Sequence, residues 1–211
     1  MSEEAYLKEL TRTKYVYICD IARNIVTHRD VTTQIIDDIY SIWYNKVFED
    51  EKHKNTYFLL LNEIAACQKT RPETLRHIYN RYDYREDDDT LYMMNLSFAQ
   101  NPRTPCDILE ILAKNPIDTV RIFVAGNTST FTYIIDMLLR DKDYEVRLAA
   151  VNSSNVNIET IRNIANNKCE TNFLVRKSIY KTLNISIDRR AEIHRVSLPD
   201  IINRLDRYQI I

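Results

Sequence analysis

Polar and apolar residues alternate along this chain with a helical period, and the pattern recurs. In "TVRIFVAGNTSTFTYIIDMLLRDKDYEVRLAAVNSSNVNIETIRNIANN" the pairs Val120-Arg121 and Val146-Arg147 stand 26 residues apart. One step back, Met94, Phe98 and Ala99 take the places of Val120, Val124 and Ala125; one step forward, Val146, Ala150 and Val151 do. The second apolar run keeps the same register: Leu109, Ile135 and Ile161 coincide, then Leu112, Leu138 and Ile164, then Ala113, Leu139 and Ala165. Each unit holds a run of about two turns and one of about three, spaced i, i+3, i+4 and split by a polar break. That predicts two short antiparallel helices per unit, over roughly 89–99, 105–113, 118–125, 130–140, 143–151 and 157–166. Leu112, Leu138 and Ile164 are expected in the core.

The breaks look like helix starts. Thr104-Pro105-Cys106-Asp107 reads as a capping box, with Thr accepting from a free N–H, Pro in the first turn and Asp facing the helix dipole. Thr70-Arg71-Pro72-Glu73 repeats the design 34 residues earlier, which leaves eight extra residues in "NRYDYREDDDT". A later unit follows Val175-Arg176 after 29 residues, and Ser197-Leu198-Pro199-Asp200 opens a terminal helix. "VTTQIIDDIYSIWYNKVF" is strongly amphipathic, with no clear repeat register. Degenerate ends suit a repeat array, whose terminal units need one polar face. The organisation expected is an N-terminal helical cap (1–54), repeats over 55–182 (about 55–88, 89–116, 117–142, 143–170 and 171–182 onward) and C-terminal capping helices (183–211).

The pattern "NPRTPCDILEILAKNPIDTVRIFVAGN" resembles the variant leucine-rich repeat and, more broadly, HEAT-like helical repeats. It is clearest over 95–165. Asp118 before Arg121 and Asp143 before Arg147 are similar to the Asp/Arg ladder of HEAT repeats. The resemblance implies an all-α fold, an α-solenoid (a HEAT-like superhelix of stacked antiparallel helix pairs) with degenerate caps. Some variant leucine-rich repeat proteins carry an iron–sulfur cluster on closely spaced cysteines; that spacing is missing here, and the cluster is not carried over.

Composition agrees with helices. Among 211 residues there is one glycine, Gly126, where average usage would give roughly fifteen, and five prolines. Hairpins and phosphate loops need glycine. Gly126 falls where a first helix should end and reads as a C′ stop. Cys19, Cys67, Cys106 and Cys169 form no CxxC and read as reduced, mostly buried thiols of a cytoplasmic protein. The opening "MSEEAYLKEL" is unlike a signal peptide, and no apolar run is long enough for a membrane span. His28, His53, His77 and His194 have no metal-ligand spacing, and Glu86-Asp87-Asp88-Asp89 lacks the alternation of a calcium loop and reads as a helix start. No enzyme motif is present; no cofactor, metal or small-molecule substrate is indicated.

Binding surfaces are the remaining chemistry. Arg121, Arg147 and Arg176 could form a phosphate-binding row, but Asp118, Asp143 and Glu145 lie nearby to pair with them, which favours stapling between repeats. With the second-helix apolar positions assigned to the core, the exposed rows are Asp107/Tyr133/Glu159, Glu110/Asp136/Arg162 and Lys114/Arg140/Asn166. The candidate partner face is Asp107, Glu110, Tyr133, Asp136 and Arg140, mixed in charge and rich in acids that disfavour DNA. An uncommitted solvated face is the bland alternative. The inserted loop adds Arg81, Tyr82, Tyr84 and Arg85, residue types that dominate interface hot spots; a loop folded back over its own repeat is the alternative.

The net charge is −1, yet from residue 160 onward Lys and Arg number ten against five acids. Arg176, Lys177, Lys181, Arg189 and Arg190 are therefore a candidate nucleic-acid patch. The reading expected is a non-enzymatic helical-repeat scaffold for a protein partner. Heavy use of Ile, Asn, Lys and Tyr fits an AT-rich genome, for instance a phage or mobile element, and then an adaptor or inhibitor of a host protein. The first alternative is a nucleic-acid binder. The second, which the resemblance implies, is a HEAT-like DNA glycosylase; such enzymes use tryptophans plus an acid around the damaged base, and here there is Trp43 alone.

Overall fold

The computed structural model describes residues 24–26, 28, 30–43, 54–81, 88–167 and 170–184. All regular structure among them is helical: α1 (Thr33–Trp43), α2 (Lys54–Ala66), α3 (Pro72–Arg81), α4 (Asp88–Gln100), α5 (Cys106–Leu112), α6 (Asp118–Gly126), α7 (Thr132–Leu138), α8 (Tyr144–Val151), α9 (Ile158–Asn167) and α10 (Phe173–Thr182). The helices expected from periodicity are all found within three residues of their predicted ends. The Ser197–Asp200 helix start, Cys19, Cys169, His53 and His194 lie outside the described residues. No described helix is long and apolar enough to cross a membrane.

The chain divides into two compact units, Met1–Thr130 and Phe131–Ile211. In the first, α2, α4 and α6 pack side by side as the first helices of consecutive repeats, and α3 and α5 pack on the helices that precede them. Their apolar stripes make the core: Phe58, Leu61 and Ala65 on α2, Met94, Phe98 and Ala99 on α4, Val120, Val124 and Ala125 on α6. Burial of such stripes, rather than intrinsic propensity, holds helices this short, since isolated helices of under about 12 residues are marginal in water. The amphipathic α1 buries Ile35, Ile36, Ile39 and Tyr40. Its Asp37 accepts from the Thr74 hydroxyl (2.8 Å) and pairs with Arg71 (3.1 Å), tying α1 to α3.

In the second unit α8 packs on α10, with α7 against α8 and α9 against α10. Ile134, Ile135, Leu138, Val146, Ala150, Val151, Ile161, Ala165, Val175 and Ile179 are buried. Leu112 and Leu138 are therefore core residues, as their register requires. Ile164 is a correction: it is half-buried, because α9 stands beside a groove at this point. Cys67 and Cys106 are half-buried rather than enclosed.

Two further local expectations are adjusted. α6 ends at Gly126 as expected, but the glycine is the last helical residue rather than C′, exposed and with no positive φ. A side chain at that position would meet nothing within 4 Å of its Cβ. The left-handed stop is instead Asn184 (φ 55°), just beyond α10, where a short amide side chain tolerates αL. Thr104 and Thr70 do not cap the helices that follow them. α5 starts at Pro105 with no side-chain cap. The Thr104 hydroxyl donates backwards to the Phe98 carbonyl (2.6 Å), Thr70 to Ile64 (2.5 Å) and Thr130 to Val124 (2.6 Å). These are carbonyls from the last turn of the preceding helix, where i+4 partners run out; those of Ile64 and Val124 also accept from the Cys67 and Asn127 N–H groups (both 3.2 Å). All three threonines are buried, so the hydroxyl adds a donor to an enclosed helix end and satisfies its own polarity there.

Candidate functional site

The arginine row has its geometry from the backbone. Arg121 donates through one guanidinium nitrogen to the carbonyls of Asn115 (2.8 Å) and Pro116 (3.0 Å). Arg147 does the same to Asp141 (2.8 Å) and Lys142 (3.0 Å). Each arginine thus grips the turn before its own helix. The polar residue leading that turn closes it: Asn115 accepts from the Ile117 N–H (3.0 Å) and Asp141 from the Asp143 N–H (2.9 Å). The acids expected as partners are otherwise engaged. Asp118 accepts from the Thr119 N–H (2.6 Å), and Asp143 caps α8 by accepting from the Glu145 and Val146 N–H groups.

Arg147 has a second partner that spacing did not disclose. Its Nε and second terminal nitrogen make a two-pronged bond to Glu170, at 2.6 and 2.9 Å. The two side chains are 17% and 7% exposed. Burial pushes the Glu170 carboxyl up, but the Arg147 guanidinium and the Asn172 N–H (2.7 Å) together hold it below the ordinary glutamate range. The pairing with Glu170 correspondingly raises the Arg147 pKa. Arg121 and Arg147 are thus engaged with the protein's own backbone and with Glu170 rather than open to a phosphate.

A second fastening repeats with it. Buried Asn101 donates to the carbonyls of Ala65 (2.7 Å) and Cys67 (2.9 Å), and buried Asn127 donates to Ala99 and Asn101 (both 2.8 Å). Each amide oxygen accepts an N–H two residues on, from Arg103 and Ser129 respectively (both 2.9 Å). Its only trace in the sequence is Asn-x-x-Thr at 101–104 and 127–130. Asn and Thr in a break look like generic turn residues, so the trace is easily passed over.

The expected partner face falls in both units, and each part stands by itself. On α5, Asp107 is exposed and bound two-pronged by Arg76, one contact being 2.9 Å; this bond lowers the Asp107 pKa. Glu110 pairs with Lys114 at 3.1 Å. These acids are already neutralised, and apolar Ile111 lies exposed among them. On α7, Tyr133 is 52% exposed and meets Phe131, 58% exposed, edge to face with centroids 6.2 Å apart. Met137 is exposed one turn beyond Tyr133, and Arg140 is exposed at the helix end. Asp136 corrects the expectation of an open acid: it is half-buried, with one carboxylate oxygen enclosed and without a hydrogen-bond partner.

Of the inserted segment, Arg81 is the exposed last residue of α3, where its charge suits the helix C-terminus. Tyr82, Tyr84 and Arg85 lie outside the described residues, as do Arg189 and Arg190 of the basic patch. Lys177 and Lys181 are exposed one turn apart on α10, and Arg176 is half-buried.

At the far end of α7, a groove of about 580 Å³ runs between Leu139–Asp141 and α9. Arg147, Glu170 and Thr171 form its remaining wall, and Leu139 and Ile164 supply apolar lining. Glu170 and Thr171 stand in the stretch where the sequence runs three residues beyond the 26-residue spacing, a length change visible in sequence whose spatial effect is not.

The same donors meet the same carbonyls at a 26-residue step. This is a helical-repeat protein. No protein-family profile and no curated protein matches the sequence. Among solved structures it is similar to an engineered protein, 15% identical over 87% of this chain and 96% of that one, with a TM-score of 0.44. It is also similar to a leucine-rich repeat variant described as having a novel repetitive structural motif, 16% identical over 85% of this chain and 81% of that one, with a TM-score of 0.39.

Proposed function

We propose that this protein is a non-enzymatic scaffold that docks a protein partner on the exposed side of α7, extending the face expected from Tyr133 and Arg140. The observation that carries the reading is the Phe131–Tyr133 pair. Two aromatic rings, each more than half exposed, are held against one another, with Met137 exposed one turn further along α7. Aromatic side chains bring large area at low entropy cost, and an exposed aromatic pair with a methionine has the composition of an interface hot spot. The acids on α5 carry less of the recognition than their number implied, because Arg76 and Lys114 already answer them.

The test is affinity capture from the native host with wild type and Tyr133→Ala in parallel, followed by direct binding of the purified partner. Tyr133→Ala should weaken binding by roughly 2 kcal/mol, about thirtyfold, without changing the melting curve. Loss at Lys177→Ala and Lys181→Ala instead, with steep salt dependence and DNA or RNA as the captured species, would replace this reading with the nucleic-acid one.

A further inference from the structure

Among the described residues, the groove beside α9 is lined by four charged side chains, Arg140, Asp141, Arg147 and Glu170, and three of them are already engaged. Arg147 and Glu170 are closed on one another, and the Asp141 carboxylate holds the Asp143 N–H. Arg140 is exposed, its guanidinium bound by none of them. The Asn163 amide and the Thr160 hydroxyl on α9 are likewise uncommitted and border the same space. Among the described residues, the groove therefore offers one free cation, a free amide and a free hydroxyl around an apolar floor of Leu139 and Ile164.

Size and charge together select the ligand. A space of about 580 Å³ holds a few side chains, within the ~300–1,000 Å³ range of ligand sites, but not a helix about 10 Å across. A polyanion is disfavoured, because successive phosphates would meet Asp141 and Glu170. One carboxylate seated at Arg140 avoids both acids. An amide such as Asn163 can donate to, and accept from, an extended backbone.

We infer that this groove takes an extended peptide segment of the docking partner in which an acidic side chain stands next to an aliphatic one. The carboxylate pairs with Arg140, the backbone meets Asn163, and the aliphatic group covers Leu139 and Ile164. This rests on the protein-docking reading above but uses different residues from the α7 aromatic pair, so the two can fail separately.

A display library of random octapeptides, selected on the full-length protein, tests it. The expected enrichment is Asp or Glu adjacent to Leu, Ile, Val or Met. A synthetic enriched peptide should bind Arg140→Glu at least about tenfold more weakly, since a charge-assisted pair becomes a like-charge clash, and selection on Arg140→Glu should turn to Lys or Arg. Asn163→Ala should weaken the peptide about threefold to tenfold. Tyr133→Ala should leave it within about twofold; a larger loss there, with Arg140→Glu neutral, places the peptide on the α7 face and overturns the groove assignment. So does selection of no acidic–aliphatic pair, or displacement of the peptide by millimolar inorganic phosphate or by a single-stranded oligonucleotide. Arg140 is exposed, so Arg140→Glu is expected to fold; Arg140→Gln, losing affinity without reversing preference, checks the same contact with a smaller perturbation.

Discussion

The turns before α6 and α8 share an arginine grip, and before α8 the same arginine also holds Glu170. Both are led by a short polar residue that closes on an N–H two positions ahead, and in both an arginine six residues on grips two carbonyls. Their common part is backbone satisfaction: a tight helix–helix turn strands carbonyls, and a guanidinium can serve two of them with one nitrogen. Arg147 has its remaining donors turned to Glu170, in the stretch where the sequence runs three residues beyond the 26-residue step. The arginine-to-carbonyl grip is thus common to both turns, and at α8 the same guanidinium also carries the pair with Glu170.

Both turns depend on the core beneath them, and the largest effect is expected there. Leu138 is 1% exposed, and Leu138→Asp should abolish cooperative unfolding of the second unit, since an unpaired buried charge costs more than about 5 kcal/mol. A circular-dichroism melt that kept its midpoint would show the shared register to be wrong. Next comes the ion pair. Arg147→Met leaves the Glu170 charge enclosed alone and should cost about 3–5 kcal/mol, whereas Arg147→Met with Glu170→Met together should recover most of that. Denaturant titration of the three proteins reads the difference directly.

Arg121→Met should cost at least about 1–3 kcal/mol, the penalty of two carbonyls left without their guanidinium donor; a denaturant midpoint equal to wild type would show that the grip adds nothing to the fold. Acid supplies a test without mutation at either arginine. The folded-state pKa of Glu170 is lowered, so its contribution is complete above the pKa of an unfolded glutamate and fades as pH falls through the lower folded value. Wild type should lose stability over that acid window more steeply than the double Met variant. The smallest effect is expected from Thr104→Val and Thr130→Val, about 1 kcal/mol each, through the carbonyls of Phe98 and Val124. Equal losses at both would mark the threonine bond as a repeated device.

Much of the fold was legible and much of its fastening was not. The step of 26 placed every described helix from α4 to α9, because an apolar stripe with helical period has few other ways to be buried. The breaks between stripes depart from their sequence reading in a consistent way. Thr104 and Thr70 carry the residues of an N-cap, yet their hydroxyls turn back to the preceding helix end. A threonine can donate or accept, and sequence does not say which orphan group lies nearer. Gly126 read as a C′ stop; the helix does end there, with Gly126 as its last residue and Asn127 leading the chain out in extended conformation. Of the candidate site, Tyr133 and Arg140 were reachable by counting outward from the core, while Phe131 and the groove were not.

Periodicity, spacing and the scarcity of glycine determined that this chain is helical, repeated and in one register, since each is a local property of residues within a turn or two. Only tertiary structure decided that Arg147 meets Glu170, that Asn127 reaches Ala99, and that Arg140 meets neither acid beside it in the groove. Those outcomes depend on how helices 20 to 30 residues apart in the chain pack. A shift of a few ångströms there separates a hydrogen bond from an open charge, and no local pattern encodes a distance of that size.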